Sequence, residues 1–265
     1  MLVVISDLHL GDNTCAHTLS SGAFQIFRER LESLIQTASV RTDERYEPVR
    51  QIDLLLLGDI FELLHTTRWF DVTPTQKEPV RPWDDPSRPD FVTKVQEITI
   101  AIIEENAESL ALLRQMARGE ALSLPPVDGR GRPALDSSER LPVIVRIHYM
   151  VGNHDWMYHL PGEGMENIRR QIVQAMSLHN SPGPFPHELA EAPFLSEVCQ
   201  AHRVFARHGD IFDSFNYDWT KGRNASALGD ALSVELINRF PQQVEARLQD
   251  LFAPSFFREL YEITN

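Results

Sequence analysis

Ile52-Asp53-Leu54-Leu55-Leu56-Leu57-Gly58-Asp59 places a nearly continuous apolar run directly before a carboxylate. Such a run suits a strand covered on both faces, as in a parallel sheet. Two other stretches have the same form. Leu2-Val3-Val4-Ile5 leads into Asp7-Leu8-His9, and the run from Val143 to Val151 leads into Gly152-Asn153-His154-Asp155. Between the first two, Phe24, Phe27, Leu31, Leu34 and Ile35 recur at helical spacing and predict a helix over 23–38. A strand, a helix and a second strand in that order imply a parallel pair with a crossover. The fold class is therefore α/β. Three strand ends bearing ligand-type side chains predict a site along the carboxyl edge of one sheet, where α/β proteins bind ligands. A fourth candidate, His208-Gly209-Asp210, follows an apolar run read as a strand over 203–207. A nucleotide-binding fold shares the first unit, but no glycine-rich phosphate loop follows the first strand.

Asp, His and Asn together supply carboxylate, imidazole and amide-oxygen ligands, with no thiolate among them. That mixture suits Mn²⁺, Fe or Zn²⁺ better than a structural zinc site rich in cysteine. Asp59 has two oxygens and can bridge two cations. Two metals roughly 3.5–4 Å apart activate a water and neutralise charge on a phosphoryl group. His154, beside the ligand candidate Asn153, is then free to stabilise the transition state or protonate the leaving oxygen. Asp155 is expected to orient it.

The ordered blocks Asp7-x-His9, Gly58-Asp59-x-x-Glu62, Gly152-Asn153-His154-Asp155 and His208-Gly209-Asp210 resemble the calcineurin-like metallophosphoesterases. The resemblance implies a layered sheet core flanked by helices and a dinuclear hydrolase of phosphomonoesters, phosphodiesters or pyrophosphates. It implies Asp7 and His9 on one metal, Asp59 as the bridge, and Asn153 with His208 on the other. His154 is implied as the catalytic imidazole, and Glu62 falls where the family often has Asp or Glu. Two divalent ions are implied, Mn²⁺ foremost. The family's late Gly-His-x-His block has no counterpart, because no histidine occurs between Gly209 and Asn265. The expectation is an amino-terminal part of a longer protein with an incomplete second half of the site.

At 265 residues, with 42% hydrophobic and 24% charged residues, the chain suits one large soluble α/β domain over 1–265. Its net charge of −13 argues against duplex nucleic acid as a partner. Phosphate chemistry stays open, since bound cations invert the local field. Cys15 and Cys199 lack metal spacing and read as reduced thiols. With neither a signal peptide nor an apolar run of spanning length, the expected location is cytoplasmic.

Residues 66–142 form an insert that leaves the scaffold just after Glu62 and returns on the strand delivering Asn153. Five prolines between Pro74 and Pro89 make a stiff loop, and Phe91 to Arg118 reads as one long helix. The insert is read either as a cap over the substrate or as an elaboration carrying one core helix. Met165–Met176 predicts a further helix. Residues 214–265 form a helical segment, with apolar patterns over 232–240 and 244–252.

Of ten histidines, His17, His65, His159, His179, His187 and His202 are expected in loops or at the surface, and His148 in a structural role. Trp69 and Trp83 are expected to pack in the core, with stacking on a base or sugar as the functional alternative. Arg81, Arg88, Arg130 and Arg132 are expected as solvated loop charges. The leading functional expectation is a metal-dependent phosphoesterase acting on a small phosphorylated substrate. The other is a phosphoesterase-fold scaffold that binds a protein partner without catalysis.

Overall fold

The computed structural model describes residues 1–15, 17–72, 77–241 and 243–244. A parallel sheet runs in the order β1, β2, β5. It is built from β1 (Leu2–Ile5), β2 (Gln51–Leu57) and β5 (Ile144–Met150). Leu2 pairs with Asp53 and Ile5 with Leu56, while Gln51 pairs with Ile144 and Leu57 with Met150. In that register all three strands end at one edge.

Side chains alternate across β2 and β5. Ile52, Leu54, Leu56, Val145, Ile147 and Tyr149 face the main core. That core is shared with α1 (Ser21–Ala38), α2 (Pro89–Glu105), α3 (Ala107–Ala117) and α4 (Glu163–Met176). Leu55 and Met150 face the other way, onto Leu195 and Cys199 of α5 (Pro193–Ala201) and onto Ala206. Helices therefore flank the sheet on both faces. The two-residue strands β3 (Ser123–Leu124) and β4 (Leu141–Pro142) pair antiparallel beside it.

The helix expected over 23–38 is α1, with Phe24, Leu31 and Ile35 inward, although Leu34 of the predicted stripe is exposed. The single helix expected from Phe91 to Arg118 is two. Asn106 breaks it, because its Nδ2 donates to Gly11 O (2.9 Å) and Ile102 O (2.8 Å) and its Oδ1 accepts from Thr18 Oγ1 (2.8 Å). A side chain that competes for backbone groups interrupts helices in this way. Both halves remain core elements, with Phe91, Val95, Ile98, Leu113 and Met116 fully buried.

The strand expected over 203–207 is absent. Arg203 adopts a left-handed φ of 56°, Val204 and Phe205 are exposed, and only Ala206 is buried. Towards the carboxyl end, α6 (Leu228–Leu232) passes into a π-helical turn over Ser233–Asn238, within the pattern expected at 232–240. The pattern expected at 244–252 lies almost wholly outside the described residues. No helix among the described residues is long and apolar enough to cross a membrane.

Two polar clusters lie inside this frame. On β2, Asp53 sits within an otherwise apolar strand and is held by Arg146 Nη2 (2.7 Å) and His148 Nε2 (3.0 Å), which gives His148 its structural role. His187, expected in a loop at the surface, is instead buried and stacks near His159, with ring centroids 4.4 Å apart. Burial, reinforced by the charge of Arg223, pushes its pKa down to about 2.

That depression has a sign. The folded state holds His187 neutral, so its contribution is fully present above the unfolded value of about 6.5 and is lost as pH falls below it. Between about pH 7 and pH 5 the loss is roughly 2 kcal/mol. Urea unfolding of His187→Phe is expected to lose that much less stability over the same interval than the parent chain. Equal acid sensitivity of the two would remove His187 as its source.

Candidate metal centre

The carboxyl edge is assembled by backbone bonds between neighbouring strand ends. Asp7 N–H donates to Gly58 O (3.1 Å), His9 N–H to Asp59 O (2.9 Å) and Leu10 N–H to Ile60 O (2.8 Å). Gly58 N–H donates to Met150 O (2.9 Å). Asp7, His9 and Asp59 all take positive φ, at 55°, 45° and 52°. Non-glycine residues occupy that region only when the surroundings over-determine it, at roughly 1–3 kcal/mol each, and such residues cluster at functional sites. The hydrogen bonds between strand ends supply that over-determination.

Two groups of side chains capable of holding a metal ion meet here. His9, Asp59 and His154 form one; Asp7, Asp59 and His208 form the other. Asp59 belongs to both. Its Oδ2 lies 3.2 Å from His208 Nε2 and 4.0 Å from His9 Nε2, while its Oδ1 accepts the His154 backbone N–H (2.8 Å). Asn153 Oδ1 is 3.2 Å from His208 Nε2. Asp7, His9, Asp59, Asn153, His154 and His208 are therefore brought together. The donor set fits a hard or borderline divalent cation, with carboxylate, imidazole and amide oxygen and no thiolate.

Glu62 lies beneath the centre and is almost fully buried. Its Oε2 meets His9 Nδ1 at 2.7 Å and its Oε1 meets His154 Nδ1 at 2.8 Å. Carboxylates that hold one ring nitrogen fix the tautomer and leave the other nitrogen for a metal. A single carboxylate thus orients two imidazoles, each with Nε2 left for the centre. His208 is oriented differently, its Nδ1 donating to Leu57 O (3.2 Å).

These contacts set the ionisation. Burial opposes charge on His154 and on His208. It is outweighed by the hydrogen bond to Glu62 for His154 and to Asp59 for His208, so that each rises to about 9. The hydrogen bond to Glu62 likewise raises His9. Burial would raise Asp59 and Glu62, yet the hydrogen bonds from His208 to Asp59, and from His154 and His9 to Glu62, hold both below the usual carboxylate range. The imidazoles and carboxylates of the centre thus compensate one another's charge, and a cation held here would compete with protons for the imidazole nitrogens.

Asp155 is not where its expected role requires. Its side chain is fully buried behind the centre. Oδ1 accepts from Gly152 N–H (2.6 Å), and Oδ2 from Ile60 N–H (2.9 Å) and Tyr149 OH (2.6 Å). It joins the ends of β2 and β5, and burial raises its pKa to about 6. The carboxylate on the His154 ring belongs to Glu62.

Sequence reasoning missed other neighbours. His65, expected as a loop residue, stands edge-on to His154, with ring centroids 5.4 Å apart and Nδ1 3.7 Å from Glu62 Oε2. Arg223, which the sequence did not single out, donates to Asp210 of the His208-Gly209-Asp210 block (2.8 Å) and to Glu188 (2.8 Å), fixing the segment after His208. The Glu62 role had a signal, its spacing of three from Asp59 in the Gly58-Asp59 block. Arg223 and Glu188 had none. Trp69 packs in the core as expected, whereas Trp83 is exposed.

Compared with known proteins, the chain matches no family model, no curated protein and no solved structure.

Proposed function

We propose that the chain is a metal-dependent phosphoesterase of calcineurin-like type. It hydrolyses a phosphomonoester, phosphodiester or pyrophosphate bond in a small substrate. The observation that carries this reading is Asp59, whose carboxylate is common to two metal-capable groups. Asp7 and His9 would hold one ion and Asn153 with His208 the other, with Asp59 common to both; Mn²⁺ is the foremost occupant, ahead of Fe and Zn²⁺. Bound there, two divalent ions supply Lewis acidity and an activated water for in-line displacement. The chain's own part is orientation and proton supply. Glu62 holds His9 and His154 in place, and His154, oriented by that carboxylate, would pass a proton to a leaving oxygen.

The scaffold reading draws on exposed Phe205, Phe212 and Trp219, which flank His208 in sequence and offer apolar surface to a protein partner. Metal titration separates the two. The enzyme reading expects Mn²⁺ to bind at two sites, more tightly as pH rises through the imidazole range, and to switch on hydrolysis of bis(4-nitrophenyl) phosphate. A chain that takes up no Mn²⁺ at any pH from about 6 to 9 belongs to the scaffold class.

A further inference from the structure

Residues 82–86 of the insert and 221–226 near the carboxyl end wall a cleft of about 210 Å³ that Trp156 also lines. Trp156 stands two residues beyond His154, and its Nε1–H donates to the buried Asp230 Oδ2 (3.0 Å). Asp230 lies within electrostatic reach of His154. The cleft is thus fastened to the metal centre through one short segment.

Its outer wall is preformed. Arg81 N–H donates to Asp84 Oδ2 (2.9 Å), Ser87 N–H to Asp85 Oδ1 (2.9 Å), and Arg81 Nε pairs with Glu235 Oε1 (2.6 Å). On this braced loop Trp83 is 42% exposed, an unusual position for an indole with core alternatives. Pro82 and Pro86 flank it in sequence and line the same cleft, as do Asn224 and Lys221.

We infer that this cleft receives a nucleobase of the substrate, stacked on Trp83, while the phosphoester reaches the metal centre. The inference rests on the phosphoesterase reading for the second half of that statement. Three observations select the ligand class. The volume falls below the roughly 300–1,000 Å³ that enclose a whole drug-sized ligand, so the cleft takes one ring system and not a long acyl chain. An indole between prolines offers the apolar stacking surface that every base can use. Asp84 and Asp85, each with one carboxylate oxygen already taken by the loop, line the cleft and leave a second oxygen as acceptor for an exocyclic amino group.

The test uses adenosine, which carries no phosphate, titrated calorimetrically into the Mn²⁺-loaded chain. Adenosine is expected to bind, and Trp83→Ala to weaken it about ten-fold or more, within the range for loss of a base–aromatic stack. Trp83→Phe, which keeps a ring, is expected to retain most of the affinity, and thermal melts of both variants report folding. Adenosine that does not bind, or binds Trp83→Ala as well as the parent, overturns the inference; so does decanoate binding in its place. Parent-chain hydrolysis of bis(4-nitrophenyl) phosphate is measured alongside. Hydrolysis without adenosine binding sinks the cleft and leaves the phosphoesterase reading. Trp83-dependent adenosine binding without hydrolysis supports the base site and sinks the phosphoesterase reading.

Discussion

Asp59→Asn is expected to lower kcat/KM for a phosphodiester by at least about 10³-fold and to leave no more than one Mn²⁺ per chain. Loss of an outer hydrogen-bond partner alone typically costs 10–100-fold at a metal site. Asp59 sits closer to the chemistry, since its carboxylate is common to both groups of candidate ligands. The amide keeps the shape and one acceptor, so the His154 N–H to Oδ1 bond (2.8 Å) can persist and the strand ends stay in place. What it removes is the negative charge that draws two cations together, and the second lone-pair oxygen facing His208 at 3.2 Å. The substitution also removes a buried anion from among the imidazoles His9, His154 and His208. Protonated imidazoles then lose a counter-charge, so His208 should release its proton at lower pH and compete less with metal near neutrality. Steady-state kinetics and metal content by elemental analysis, on protein with an unchanged circular dichroism spectrum, check this. Full activity in the Asn variant would remove the metal-bridge role and the proposed reaction with it.

Much of the centre was legible because a parallel sheet makes chain order and space correspond. Runs ending in Asp7-x-His9, Gly58-Asp59 and Gly152-Asn153 lie side by side in matched register, so their terminal side chains converge. No long-range knowledge is needed beyond that pairing. His208 converges as well, but not for the reason its apolar run implied. The run Arg203–Ala206 has no partner strand among the described residues, and His208 is set by its bond to Leu57 O and by the Asp210–Arg223 pair. An apolar run of four residues does not distinguish a strand from an extended segment with one buried side chain.

The rest failed where side-chain direction matters. Adjacent residues after a strand point to different sides, so Asp155 next to His154 in sequence turns inward onto Gly152, Ile60 and Tyr149. Glu62, distant from His154 in sequence, meets its ring. Nothing in local spacing fixes which carboxylate faces which imidazole. The helix break at Asn106 depends on Gly11 and Thr18, and the exposure of Trp83 on a loop braced to Glu235. Both are tertiary facts acting on a local pattern. The same holds for His187, whose loop-like surroundings of Pro182, Gly183, Pro184 and Pro186 gave no hint of burial.

Gly152→Ala is the sharper test of how the centre is packed, because it adds one methyl and removes no ligand. A Cβ at this position would lie 2.3 Å from Asp59 Oδ1, 2.7 Å from His208 Nε2 and 2.8 Å from Asp59 N. None of these is the free end of a flexible chain. Asp59 is anchored by the His154 N–H, and its own backbone lies in the left-handed region and accepts from His9 N–H. His208 is pinned between Leu57 O, Asp59 and Asn153. The methyl must therefore displace the shared carboxylate or the second imidazole, and positional errors near 1 Å at a catalytic site cost about 10²-fold. Overpacking of a tight site also destabilises by roughly 1–3 kcal/mol. The expected result is a folded protein, slightly less resistant to urea, with activity down at least ~10²-fold and Mn²⁺ affinity reduced in parallel. Serine should do no better, since its Cβ meets the same atoms. If Gly152→Ala binds two Mn²⁺ ions and turns over substrate like the parent, Asp59 and His208 do not need the spacing seen here, and the shared-carboxylate geometry is not what the chemistry uses.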